Sequence, residues 1–439
     1  MYCGSCLHDN TLAAALNRLG QEVVLIPTYT PIRTDEEDVS ASRVFFGGIN
    51  VYLQQKSAIF RHTPWFLDRL FDVKPLLRWV SRFAFKTQGH ELGELTVSML
   101  QGEHGRQRKE INKLVHWLAT HVQPDLINLS NVLLSGVVEE MKRRLRKPVL
   151  CSLQGDDIFL EALPEPFRSQ ALDLIRAHCR HVDGFIATSR YYADFMSEYL
   201  SLPPSKIEVV YPGINLALHD LESSAGMAFA GDGEEATIGY FARICPEKGF
   251  HLFAEAARIL QRMPGVPRFR LRASGWLGKN DRPYYEKICR YLHEAQLGDR
   301  FEYVDSPDHV SKVRFLRGLY LLSVPTTYRE PKGLYVLEAL ANGVPVIQPG
   351  HGAFPELIEA TGGGLLVPPN HPEELAKAWY HLLQDRDYRN RLAEKGREAV
   401  HRQFDDATMA EKTMAVYQRY VSEKALPISA LDAREIQVK

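Results

Sequence analysis

The sequence predicts an α/β chain of two domains, each built round a parallel sheet, facing each other across a cleft. Three observations carry this. Short apolar runs of strand length alternate with helix-period segments, the series breaks and restarts near the middle, and 439 residues exceed what one core ordinarily organises.

In the first half the runs are Val23 to Pro27, Leu126 to Leu129, Val149 to Leu153, Gly184 to Thr188 and Ile207 to Val210, with helical stretches near Val137 to Leu145 and over Ser189 to Leu200. The second series comprises Thr237 to Phe241, Phe269 to Ala273, Phe301 to Val304, Leu321 to Val324, Val344 to Gln348 and Leu365 to Val367. Both halves read as Rossmann-like. Between them Ala217 to Glu235 is rich in Ala, Gly, Ser and acidic residues without a period, as an exposed connector is. The expected division is a first domain over 1–216, a linker over 217–235 and a second domain over 236–404. A helix over 405–423 follows the completed second sheet and is free to pack back on the first domain, and 424–439 forms a tail.

The opening departs from this scheme, because such a domain should begin with a buried strand. Here the chain starts in the loop Tyr2-Cys-Gly-Ser-Cys, with a helix expected from about Asn10. We read the first strand as missing and a truncated start as the simplest cause, since a gap inside a sheet leaves backbone groups unpaired. Cys3 and Cys6 read as small residues in a tight loop, as no second pair completes a zinc site.

Composition narrows the function. The 45% hydrophobic and 24% charged content is that of a globular chain, and no run approaches the roughly 18 apolar residues of a membrane helix. Lys and Arg number 53 against 54 Asp and Glu, so no global field draws the protein to nucleic acid. Scattered cysteines and the lack of a leader-like opening make the cytoplasm the default expectation.

The chemistry concentrates in two stretches. In Tyr328-Arg-Glu-Pro-Lys-Gly-Leu-Tyr-Val-Leu-Glu, Pro331 and Gly333 suit a loop turning into a helix, whose first N–H groups favour a phosphate. Glu330 and Glu338 are eight apart, roughly 12 Å along an ideal helix if all of it were helical, about the reach from a hexose to the ribose of one nucleotide. In Ile238-Gly-Tyr-Phe-Ala-Arg-Ile-Cys-Pro-Glu-Lys-Gly, Arg243 and Lys248 close a strand, placed to neutralise a diphosphate without a metal.

With the following Ala-Leu-Ala-Asn-Gly-Val-Pro-Val, the first stretch resembles the donor-site motif of family 4 (group 1) retaining glycosyltransferases of the GT-B fold, and the second their G-R-x-x-x-x-K-G element. Gly350-His-Gly-Ala-Phe-Pro-Glu and Thr361-Gly-Gly-Gly-Leu-Leu-Val-Pro-Pro are similar to two further landmarks, and the resemblance is strongest over about 237–423. In the first half Pro124-Asp-Leu-Ile, Ala187-Thr-Ser and Val210-Tyr-Pro-Gly-Ile-Asn also look like the family's landmarks. The resemblance implies transfer of a sugar from a nucleotide-diphosphate sugar, a co-substrate rather than a cofactor, with no metal, to a glycan, lipid-linked or small-molecule acceptor. It implies donor contacts from Gly4, Ser5, Arg243, Lys248, Glu330, Lys332, Gly333, Leu334 and Glu338, with Arg243, Lys248 and Glu330 nearest the chemistry.

Two departures stand out. Pro331 and Lys332 replace the middle of the usual E-G-F-G-L, so Lys332 is free to meet an acidic group and the donor sugar is open. Where many members carry a His near the reacting carbon, Ser152-Leu-Gln-Gly-Asp-Asp places Gln154, which cannot act as a base. Asp156 or Asp157 then either takes the acceptor proton or caps a helix beginning near Ile158.

Basic and aromatic residues mix over 61–86, where six Lys or Arg face two Asp. Short amphipathic helices on the acceptor domain are the simpler account, as Pro64 and Pro75 interrupt the segment. Peripheral contact with an anionic inner membrane face is the alternative. The rivals to transfer are a binding module without turnover and a sugar-nucleotide epimerase. A nicotinamide dehydrogenase lacks its G-x-G-x-x-G after an early strand.

Overall fold

The computed structural model describes residues 4–28, 32, 34–41, 45–46, 89–217, 219 and 235–425. The basic-aromatic stretch 61–86, most of the linker and the tail after 425 lie outside the described residues.

The chain forms two parallel sheets. The first holds β1 (Ile127–Leu129), β2 (Val149–Leu153), β3 (Gly184–Ala187) and β4 (Ile207–Val209), in that spatial order. The second holds β5 (Ala236–Phe241), β6 (Phe269–Ser274), β7 (Phe301–Tyr303), β8 (Leu321–Leu322), β9 (Val346–Pro349) and β10 (Gly364–Val367), in the order β10-β9-β8-β5-β6-β7. From β5 the chain runs outward to β6 and β7, then returns past β5 to β8. That reversal opens a crevice at the carboxyl ends of β5 and β8, where open α/β sheets bind ligands.

The helices that matter for the site are α1 (Gly4–Arg18), α2 (Asp156–Glu161) after β2, α3 (Arg190–Leu200) after β3, α4 (His309–Arg317) before β8, α5 (Leu334–Ala341) after β8, α6 (Phe354–Thr361) after β9 and α7 (Asp406–Ala425). Strand β2 is buried along its whole length. Its residues Val149, Cys151 and Leu153 join the main core of the first domain, while Leu150 turns to a smaller core with Leu12, Ala15 and Leu16 of α1 and Met409, Ala410 and Val416 of α7. Such two-sided burial is why parallel strands read as unbroken apolar runs. Helix α7 thus lies against α1, with ion pairs from Arg18 to Asp406 and from Arg419 to Glu208. The second domain has its own core, centred on Ile238, Phe253, Leu271, Val336 and Trp379.

Three local expectations need correction. Helix α1 begins at Gly4 rather than near Asn10, so Gly4, Ser5 and Cys6 are helical and not loop. Small polar residues read as loop by propensity, but propensity is a weak prior, and here His8, Thr11 and Leu12 bury a stripe that extends the helix by a turn. Helix α2 begins at Asp156, two residues before the expected start, because Gly155 turns the chain with φ 113°. The run Val23 to Pro27 forms no ladder among the described residues. It makes an isolated parallel bridge at Leu25 to Ser40, with another at Thr28 to Phe45, and an apolar run is held as strand only where a neighbour pairs it.

Among the described residues, the end of the first domain at Ile214 touches the segment that leads from the second domain into α7. The Ile214 N–H donates to the Phe404 carbonyl (2.9 Å) and the Asp406 N–H to the Ile214 carbonyl (3.0 Å). Gly213 allows this approach, since a Cβ there would stand 2.1 Å from the Asp405 carbonyl oxygen. Gly213→Ala is therefore expected to destabilise the protein by about 1–3 kcal/mol, lowering the calorimetric midpoint by several degrees. An unchanged midpoint would show that the two segments need not touch.

Candidate active site

The site grows from the switch point of the second sheet. After β5, the Tyr240 hydroxyl faces the carbonyl oxygens of Arg243 and Lys248 at 3.2 Å each and so fixes the turn. Lys248 points inward. Its ammonium donates to Glu330 Oε2 (2.6 Å) and to the Tyr328 hydroxyl (2.5 Å), with the Tyr335 ring 5.1 Å away. Burial opposes ionisation of Glu330, but Lys248, Tyr328 and the field of Lys332 hold its carboxyl below the usual range. Arg243 stays at the rim, half exposed, its Nε 3.3 Å from Cys245 Sγ and its guanidinium 3.9 Å from Glu247.

The loop carrying Glu330 spans the cleft. Ser189 and Thr188, just past β3, donate their hydroxyls to the Pro331 carbonyl at 2.8 and 3.2 Å. Lys332, buried, donates to Ser5 Oγ (2.8 Å) and to Gln154 Oε1 (3.2 Å). The Gln154 amide in turn donates to Asp9 Oδ1 (2.8 Å) and the Ser130 carbonyl (2.9 Å), and Asp9 meets His8 Nδ1 at 3.1 Å. Gly333 turns the loop into α5 with φ 68°, and a Cβ there would lie 2.8 Å from Leu357. Leu334 opens the helix, and Gly4 faces its side chain. Ser5, Gln154, Lys332 and Glu330 are thus gathered in one place from both domains.

Asp156 and Asp157 open α2 beside this centre. The Tyr192 hydroxyl accepts from the Asp156 N–H (2.8 Å) and donates to Asp157 Oδ1 (2.7 Å). Burial pushes the Asp156 carboxyl up to about 7, against backbone N–H groups of Val132 and Gln154 and the charge of Lys332. Its Oδ2 has no hydrogen-bond partner among the described residues. Burial likewise raises Asp157.

Glu330 lies in the loop before α5 and Glu338 within the helix, the order expected of a loop that turns into a helix. Because residues 330–333 are loop, the ideal-helix rise does not relate the two carboxylates; only the part from Leu334 onward is helical. Glu338 accepts from Lys312 of α4 (2.6 Å), and Lys312 also pairs with Asp35 (2.5 Å), which lies 3.5 Å from His309. Burial disfavours a charged Asp35, yet His309 and Lys312 hold it well below the usual carboxylate range. Leu334, Glu338, His8, Glu36, His219 and His309 line a small cavity here. Both ring nitrogens of His309 and Nε2 of His219 lack hydrogen-bond partners among the described residues.

Sequence reasoning did not single out Asp9, Asp35, Thr188, Ser189, His309 and Lys312, which the structure gathers here. Thr188 and Ser189 sat inside a recognised landmark, whereas Asp35 and Lys312 carried no local pattern.

The family description "Glycosyltransferase Family 4" matches residues 86–218, and "Glycosyl transferases group 1" matches residues 228–399. Each match takes in one sheet, and together they cover most of the chain. The chain belongs to the group 1, family 4 glycosyltransferases.

The D-inositol 3-phosphate glycosyltransferase of Nocardioides sp. is 27% identical over 251 residues, 55% of this chain and 54% of that protein. The chain spans about half the length of the curated relatives it matches. Sucrose-phosphate synthase of Thermosynechococcus elongatus shares the fold with a TM-score of 0.69 at 20% identity, over 96% of this chain and 94% of that one. HepE of Anabaena, solved with UDP-glucose, shares it with a TM-score of 0.60 at 18% identity, over 91% and 100%. This group 1 glycosyltransferase therefore has the GT-B architecture.

The raised Asp156 gives a pH test. Its folded carboxyl lies near 7, above the ordinary 3.8, so its contribution to stability is full below about 4 and is lost as pH rises through 7. Asp156→Asn removes this dependence. The midpoint of the variant minus that of the wild type should rise between pH 4 and pH 8, and a difference independent of pH would show that Asp156 titrates normally.

Proposed function

We propose that this chain transfers a sugar from a nucleoside-diphosphate sugar to an acceptor held by the first domain, with retention at the anomeric carbon. Membership of the family supports the reaction class, and the UDP-glucose bound to HepE makes uridine diphosphate sugars the first donors to test. The observation that carries the reading is the buried Lys248–Glu330 pair at the switch point, with Lys332 reaching from the same loop to Ser5 and Gln154.

In this reading Lys248, with Arg243 at the rim, meets the negative charge developing on the leaving diphosphate. Gly4 and Ser5 border the diphosphate from the first domain, and the Gly333–Leu334 turn offers backbone N–H groups at the start of α5. Glu330 orients the donor sugar. Its ion pair with Lys248 and hydrogen bond from Tyr328 suit an anionic acceptor of hydroxyl protons rather than a nucleophile. Lys332 selects at the sugar, and Glu338 takes the ribose, sharing its charge with Lys312.

Gln154 orients a hydroxyl but cannot take a proton. Asp156, raised to about 7 and with an unpartnered oxygen, is suited to accept the acceptor's proton near neutral pH, beside any help from the departing phosphate. The acceptor class stays at glycan, lipid-linked or small molecule. A cytoplasmic site of action accompanies the reading, and among the described residues no helix is long and apolar enough to cross a membrane.

Calorimetric titration with nucleoside diphosphates and their sugars tests this. One nucleotide sugar should bind, with affinity falling at least about tenfold in Arg243→Ala, and Glu330→Gln should lose about a hundredfold or more of transfer while keeping its fold. Near-normal transfer by Glu330→Gln would sink its assignment. Binding of a nucleotide sugar with neither transfer nor hydrolysis would favour a module without turnover, and failure of every nucleotide sugar to bind the folded protein would overturn the reading.

A further inference from the structure

Helix α3 of the first domain begins with its N–H groups turned toward the second domain. The Ser189 hydroxyl accepts from the Tyr192 N–H (3.2 Å). The two N–H groups before it, those of Arg190 and Tyr191, are each met at 3.0 Å by the Glu356 carboxylate of α6, one oxygen apiece. The Tyr211 hydroxyl donates to the same carboxylate (2.7 Å). Glu356 is largely buried by these contacts, while the Arg190 side chain it faces at 3.9 Å is mostly exposed. The carboxylate is thus bound by helix amides and a phenol, a charge-assisted seat at the positive end of α3 that exists only while the domains are together.

What precedes α6 gives this contact its reach. In the turn before it, the Ala353 N–H donates to the Glu330 carbonyl (2.8 Å), and Gly352, with φ 62°, lies so close that a Cβ there would stand 2.5 Å from that oxygen and 2.6 Å from the Glu330 nitrogen. The next residue, Pro331, gives its carbonyl to Ser189 and Thr188. The backbone of Glu330 is therefore held on one side by the turn that launches Glu356, and next to it by the residues that open α3.

We propose that Glu356 is a positioning residue: closure of the two domains seats it on α3, and through the 351–353 turn this seating sets Glu330 for the donor sugar. The assignment rests on reading Glu330 as a donor-sugar group. Domain closure and assembly of the donor site become one event, so a nucleotude held by the second domain alone meets an unset Glu330.

The full chain carrying Glu356→Gln, which keeps the size but loses the charge, tests this by hydrogen exchange and by titration with UDP. Exchange should quicken about tenfold or more at 188–192 and also at 328–333, with β9 unchanged and UDP affinity within about twofold of wild type. Tyr211→Phe, which removes one of the contacts, should give a smaller change at the same two segments. Faster exchange at 188–192 with 328–333 unaltered overturns the linkage, as does a uniform rise across both domains, which marks a scaffold residue. If the linkage holds but Glu330→Gln binds and turns over donor normally, it is the reading of Glu330 that has failed.

Discussion

The ion pair between Lys248 and Glu330 is the interaction around which the rest is arranged. Two charges buried together cost several kcal/mol of lost hydration, and removing one partner typically costs about 3–5 kcal/mol because the other is left uncompensated. The protein meets this by surrounding the pair: Tyr328 bonds both groups, the Tyr335 ring lies against the ammonium, and Tyr240 fixes the turn that delivers Lys248. The reversal of strand order in the second sheet brings the two residues together although they are 82 positions apart. A site of this kind is pre-set by the fold and not by either residue's neighbours in sequence.

Around that pair the cleft is a meeting of backbones as much as of side chains. Carbonyl oxygens of Glu330 and Pro331 are both taken, one by the Ala353 N–H within the second domain and one by hydroxyls from the first. Lys332 adds a charge whose partners, Ser5 and Gln154, again belong to the other domain. Pro-Lys in place of the usual Gly-Phe gives the loop that carries Glu330 a rigid residue and a long cation, both bonded to the domain opposite.

The sheets were legible because parallel strands are buried on both faces and appear as apolar runs, and β2 and β3 fell where Val149 to Leu153 and Gly184 to Thr188 led us to expect them. Glu330, Arg243 and Lys248 were legible as members of two motifs. Their differing situations were not, since nothing local distinguishes a lysine aimed inward from an arginine left at the rim. Glu330 before the helix and Glu338 within it were legible too, but not their separation, since Gly333 takes a left-handed conformation and ends any helical relation between them. Lys312 joins Glu338 to Asp35, which stands 277 positions before the lysine, and no periodicity records such a pair.

Helix α7 has a consequence for how the molecule is made. The small core under α1 is closed by Met409, Ala410 and Val416, so a first-domain layer begun by Leu12 and Leu16 waits for residues almost four hundred positions later. During synthesis at roughly 5–20 residues per second, the underside of that sheet stays uncovered while the whole second domain emerges and folds. Helix α7 then serves as a seal, and the first domain becomes complete only after the second has been made.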